Sequence, residues 1–135
     1  MADPQLQTHF EAARLARERA YAPYSGFKVG AAVATRGGAV FAGCNVENAA
    51  FPVVTCAEAG AIAAMVAAGE ARIAAVLVLG EGEALVTPCG ACRQRIREFA
   101  APDALIHTAD VNGIRRSFRL DELLPFSFGP ENLAP

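Results

Sequence analysis

The seven-residue run Ile73–Leu79, IAAVLVL, constrains the fold of this 135-residue chain more than any other segment. A short, unbroken apolar run reads as a strand covered on both faces. Such a strand requires helices on each side of its sheet. The rest of the chain supplies them. Gln5–Arg19 carries Leu6, Phe10, Ala13 and Arg17 at helical spacing, and Pro23 ends the pattern. Cys56–Ala68 is a second helical stretch, closed by Gly69. Cys92–Phe99 reads as a third, and Asp121–Leu124 as a short helical turn before Pro125.

The remaining strands come as hairpins. Phe27–Thr35 and Ala39–Asn45 flank Arg36-Gly37-Gly38, and Leu105–Val111 and Ile114–Phe118 flank Asn112-Gly113. A further short strand is expected between the turn Gly80-Glu81-Gly82 and Pro88. Loops fall at Ala22–Gly26 and around Pro52. Residues 1–135 show no repeat, low-complexity tract or linker. The expected fold is one α/β domain: a mixed five-stranded sheet with helices on both faces.

Composition narrows the function. Apolar residues make up 53% of the chain and charged ones 19%, enough for a buried core. The net charge is -2. The densest basic cluster, Arg115, Arg116 and Arg119, faces Asp121 and Glu122 and reads as a solvated surface. Nucleic-acid binding rests on phosphate neutralisation, so this balance argues against such a partner. The N-terminal residues carry charge and no apolar signal-peptide core, and no apolar run reaches membrane-spanning length. A cytoplasmic location without membrane partners is therefore expected. In that reducing setting four cysteines point to metal binding or catalysis rather than disulfides.

Two segments carry the chemistry: Thr55-Cys56-Ala57-Glu58 and Pro88-Cys89-Gly90-Ala91-Cys92. The second alone also fits a redox pair or half of a structural zinc site. Together they offer three soft ligands, which favour zinc. Structural zinc sites are closed by four ligands, whereas three leave a position for water. Zinc lowers the pKa of water from about 15.7 toward 7. Glu58, on the same helical turn as Cys56, is placed to accept a proton and return it to a leaving group. Cys56 and Cys92 are expected at helix N-termini, where unpaired N–H groups favour thiolates. A single cysteine is more often a small core residue, which is the reading for Cys44. His9 and His107 have no partner at ligand spacing and read as structural.

Cys-Ala-Glu followed by Pro-Cys-x-x-Cys-Arg-Gln resembles the cytidine deaminases of the small, homotetrameric, three-cysteine type, whose zinc signature has this form. Pro23-Tyr24-Ser25-Gly26-Phe27 with Val29-Gly30-Ala31, Gly43-Cys44-Asn45-Val46-Glu47-Asn48, and Leu123-Leu124-Pro125 through Phe128-Gly129 extend the resemblance along nearly the whole chain. It implies a cytidine deaminase-like three-layer fold and one Zn²⁺ per subunit on Cys56, Cys89 and Cys92. It implies that Glu58 protonates N3 of the base, takes a proton from water and assists the departure of ammonia. Phe27 would pack against the pyrimidine, Asn45 and Glu47 hold the ribose hydroxyls, Ala57 border the substrate, and Phe128 reach a neighbouring subunit's site. The implied reaction is hydrolytic deamination of cytidine and deoxycytidine in pyrimidine salvage, by a homotetramer with shared sites.

The ribose assignment has independent support. Residues two apart on an extended chain project to the same side, and an amide plus a carboxylate can satisfy adjacent hydroxyls. The carboxylate would repel a 5′-phosphate, favouring a nucleoside over a nucleotide. Two positions depart from the family. Ala59 stands where many members carry an arginine bonded to the zinc thiolates; the helix dipoles or Arg93 are the expected compensation. Phe51 stands where a tyrosine is common, which removes a hydroxyl. Two alternatives remain at this level: a same-fold deaminase of another aminopyrimidine such as blasticidin S, and a non-catalytic site closed by Cys44 as a fourth thiolate. Editing of bases in RNA or DNA is disfavoured by the acidic balance.

Overall fold

The computed structural model describes residues 3–133. Five strands, β1 (Gly30–Thr35), β2 (Val40–Cys44), β3 (Ile73–Leu79), β4 (Ala100–Asp110) and β5 (Gly113–Arg119), form one sheet in the order β2-β1-β3-β4-β5. β3 and β4 run parallel; every other pairing is antiparallel. Four helices accompany them: α1 (Pro4–Glu18), α2 (Ala57–Ala67), α3 (Gly90–Phe99) and the single turn α4 (Leu120–Leu123).

The apolar run Ile73–Leu79 is β3, at the centre of the sheet. Its side chains alternate between two cores, as the period of a strand requires. Leu77 and Leu79 join Ala32, Ala109 and the α1 residues Phe10 and Ala13 on one face. Val76 and Val78 join Val33, Ile106, the α2 residues Ala61, Ile62 and Met65, Ile96 of α3 and Leu120 of α4 on the other. Each of the larger aliphatic chains gains about 1.5–3 kcal/mol from full burial. This second layer anchors the two helices that bear the cysteine motifs.

Local chemistry sets the element ends. Asp3 caps α1 by accepting the Gln5 N–H at 2.9 Å, and Pro4 occupies the first turn. Gly69 ends α2 at φ 90°. Gly43 on β2 lets α2 approach: a Cβ there would lie 2.5 Å from the Ala57 carbonyl oxygen.

Four expectations need correction. β1 begins at Gly30 rather than Phe27, because the Asn45 side chain takes the Val29 N–H and the Phe27 carbonyl. α3 begins at Gly90 rather than Cys92, because Cys89 takes the cap position and its carbonyl already accepts the Arg93 N–H at 2.9 Å. β4 begins at Ala100 rather than Leu105, with a register shift against β3 between Ile73 and Ala75 that accommodates Pro102. The expected strand before Pro88 is irregular chain. Its carbonyls are taken instead by Arg115, which donates to Gly82 at 2.9 Å, Glu83 at 2.5 Å and Ala84 at 3.3 Å. Arg115, Arg116 and Arg119 lie exposed on the edge strand β5, where charge discourages edge-to-edge pairing. Among the described residues no helix is long and apolar enough to cross a membrane.

Candidate metal centre and active site

Cys56 caps the N-terminus of α2 and Cys89 caps that of α3, while Cys92 sits one turn inside α3. Both helices pack on the same face of the sheet, so the two starts converge. The sulfurs of Cys56, Cys89 and Cys92 all lie within 4.8 Å of one another, and those of Cys56 and Cys89 are 3.9 Å apart. A tetrahedral zinc with bonds of about 2.3 Å places its sulfurs about 3.8 Å apart. The trio therefore fits zinc in both donor type and spacing. Among the described residues no other group of potential ligands is gathered in this way, and Cys44 lies outside it. That removes the basis for a closed four-thiolate site.

The thiols differ. Burial pushes Cys92 well up, helped by the charges of Glu58, Cys56 and Cys89. Burial and the charge of Cys89 raise Cys56. For Cys89 burial also acts upward, but hydrogen bonding with Cys92 and Cys56 outweighs it and leaves the thiol lowered. Without a cation this corner resists holding three thiolates, so metal uptake and deprotonation are coupled.

Glu58 is 4% exposed and shares a cavity of about 220 Å³ with Cys56 and Cys89. Burial pushes its carboxyl above the ordinary range; its own backbone and the nearby Arg95 charge act the other way. A raised carboxyl beside a metal corner suits proton transfer near neutral pH. Phe27, Asn45 and Ala57 line the same cavity, together with Val29, Val54, Val78, Val86 and Thr87, which sequence reasoning did not single out. These apolar walls have no motif. Val78 is recognisable only as the C-terminal end of the central strand, where ligand crevices of open α/β sheets form.

Glu47 lines a second cavity, about 210 Å³, with Tyr24, Ser25, Asn48, Phe51 and Val54. Val54 belongs to both. The Glu47 carboxylate accepts the N–H groups of Tyr24 at 2.9 Å and Ser25 at 3.1 Å, and the Ser25 hydroxyl as well. The Ser25 hydroxyl bond, ahead of those amides, holds it below the usual carboxylate range despite some desolvation. Asn45 accepts the Val29 N–H at 2.9 Å and donates to the Phe27 carbonyl at 2.8 Å. Each keeps acceptor capacity, and Asn45 one N–H, for a further partner. Both residues thus also clamp the loop that presents Phe27. Phe128 is exposed and outside both cavities; its carbonyl accepts from Gln94 at 2.9 Å.

The expected compensation by Arg93 is not found. Its guanidinium donates to the Pro88 carbonyl, the Leu123 carbonyl and the Thr87 hydroxyl at 2.7–2.9 Å. Arg95 instead reaches Cys92 Sγ, at 3.4 Å. Its spacing was legible, since residues three apart share a helix face. His107 is buried, with Nδ1 2.6 Å from the Ser117 hydroxyl, a structural setting. A larger cavity, about 440 Å³, lies beside Gln5, His9 and Arg36 but contains neither cysteine nor carboxylate. Size alone does not locate the chemistry.

Residues 3–108 match the family model described as the cytidine and deoxycytidylate deaminase zinc-binding region. The chain is 40% identical to the cytidine deaminase of Sporosarcina psychrophila over 119 residues, 88% of each protein. It superposes on the crystal structure of the Burkholderia pseudomallei cytidine deaminase with a TM-score of 0.85 at 45% identity, covering 90% of this chain and 98% of that one. The corresponding Mycobacterium tuberculosis structure gives 0.80 at 35% identity, covering 94% and 99%. A zinc-site hydrolase on a three-layer fold is the class defined by sheet and sulfurs. Within that class, the chain belongs to the cytidine and deoxycytidylate deaminase family.

Proposed function

We propose that the protein is a zinc-dependent cytidine deaminase, converting cytidine and deoxycytidine with water into uridine and deoxyuridine plus ammonia, as one catalytic domain spanning residues 1–135. One observation carries this reading: three sulfurs at zinc spacing open onto the same cavity as a buried carboxyl.

Zinc held by Cys56, Cys89 and Cys92 supplies Lewis acidity that makes water nucleophilic near neutral pH. Glu58 moves the protons. Protonated, it donates to N3 of the base, which makes C4 electrophilic; ionised, it receives one proton of the attacking water and delivers it to the departing amine, and the second water proton, lost from oxygen as the C4 carbonyl forms, returns it to the protonated state. Its burial supports both roles, because it raises the carboxyl above the ordinary range and so makes the protonated form more accessible. Phe27 and the valines offer the pyrimidine an apolar slot, with Ala57 on its edge. Asn45 and Glu47 bind the ribose hydroxyls through their remaining acceptor and donor capacity. The charged Glu47 disfavours a 5′-phosphate.

Neither cavity alone reaches the roughly 300 Å³ usual for small-molecule sites. Phe51, Phe126 and Phe128 are exposed apolar surface. The two cavities adjoin at Val54, and the exposed phenylalanines support the reading that the chain assembles as a homotetramer in which Phe128 of one subunit completes a neighbour's site. A cytoplasmic role in pyrimidine salvage is consistent with a nucleoside substrate. The test is direct: zinc content of the purified protein, with cytidine followed by ultraviolet absorbance. About one zinc per chain and loss of cytidine absorbance are expected; a zinc-loaded protein that leaves cytidine intact overturns the substrate assignment.

A further inference from the structure

The geometry assigns to Arg95 the role of a positioning and charge-balancing partner of the metal corner, acting through the sulfur of Cys92. The inference rests on the zinc reading above and deepens it.

Arg95 lies one turn beyond Cys92 on α3, and its Nη1 is 3.4 Å from Cys92 Sγ. Among the described residues this is its one side-chain hydrogen bond, and it forms no ion pair. The other arginines of α3 are occupied elsewhere. Arg93 holds two carbonyls and a hydroxyl. Arg97 holds Ser127 and Glu131. Among the described residues no other cationic side chain bonds to any of the three sulfurs.

Charge explains why one is needed. Three thiolates around Zn²⁺ leave a net charge of about -1, and an ionised Glu58 adds another. Helix N-termini at Cys56 and Cys89 offset part of this. Cys89 is exposed, so water solvates its sulfur; Cys92 is fully buried and has no such help. A buried anion without a partner is costly. The one guanidinium contact falls on that sulfur. The Arg95 residue itself stays exposed, so its own charge needs little desolvation. Position 59, at the start of α2, holds an alanine and offers no cation.

The test compares zinc-loaded wild type, Arg95→Ala and Arg95→Lys by competition with a chromogenic zinc chelator, alongside thermal melting of the zinc-free proteins. Arg95→Ala is expected to bind zinc about 10–100-fold more weakly. Arg95→Lys should recover part of that loss, and the zinc-free melting curves should coincide. Equal zinc affinity in Arg95→Ala and wild type overturns the inference. So does an Arg95→Lys no better than alanine, or an affinity loss matched by an equal drop in zinc-free stability. Failure of the wild type itself to take up zinc is a separate result and strikes the functional reading instead.

Discussion

The metal corner and the outer rim of the cleft are built by opposite means. In the corner, Cys56 and Cys89 are placed by helix caps, Cys92 by a helical turn, and Glu58 by burial at 4% exposure. Those helices rest on a close-packed layer, and such layers deform little. At the rim, Tyr24, Phe27 and Phe51 are all exposed, and the 24–29 segment is ordered by a few polar bonds to Asn45 and Glu47. In the proposed function, reactivity is thus stored in packed secondary structure and recognition in a tethered loop. The difference predicts that damage to the corner appears in kcat and damage to the rim in KM.

The largest expected effect is at Glu58. Glu58→Gln keeps the shape and most hydrogen bonding but cannot carry the proton. It should lower kcat about 10²–10⁴-fold while leaving zinc content and folding unchanged. Steady-state kinetics on a variant of verified zinc content measures this. A variant retaining a tenth or more of wild-type kcat would remove Glu58 from the proton path.

The same division explains what was legible beforehand. The corner is spelled by Cys56, Glu58, Cys89 and Cys92, because helix starts and turns convert short spacings into fixed geometry. The central strand was equally legible, since an apolar run in mid-sheet has one solution. The rim was less so. Asn45 and Glu47 are visible as polar residues at a strand end, but their grip on the 24–29 segment depends on contacts more than fifteen positions away. The irregular stretch before Pro88 was expected as a strand; the distant Arg115 takes its carbonyls instead. On α3 the i,i+3 spacing already sets Arg95, not Arg93, on the Cys92 face; what the spacing left open is that Arg93 is occupied by Pro88, Leu123 and Thr87, one of them thirty positions away.

An intermediate effect is expected at Gly43, which lines neither cavity of the site. A methyl group there would meet the Ala57 carbonyl oxygen and the Ala61 nitrogen at 2.5 Å. These are backbone atoms of α2, so the helix start must move. Gly43→Ala should cost about 1–3 kcal/mol of stability, read by chemical denaturation. It should lower kcat more than it raises KM, because Ala57 lies between Cys56 and Glu58. A fall confined to KM would show that α2 does not transmit the displacement to the corner.

The smallest effect is expected at Glu47, and it tests the rim directly. Its carboxylate serves two masters: the Tyr24 and Ser25 groups on one side and, in the proposed function, a ribose hydroxyl on the other. Glu47→Ala removes both and releases the segment that presents Phe27. KM for cytidine should rise about tenfold, with kcat changed much less, since neither the sulfurs nor Glu58 touches this side chain. Glu47→Gln separates the two duties. Its amide oxygen can still accept the loop N–H groups, so Phe27 stays in place, while the charge that repels a 5′-phosphate is gone. Glu47→Gln should therefore lose less cytidine binding than Glu47→Ala and gain tolerance toward cytidine 5′-monophosphate, measured as the ratio of kcat/KM for the two substrates. If that ratio is unchanged while KM rises equally in both variants, the carboxylate acts only as a loop clamp and the discrimination resides elsewhere on the rim.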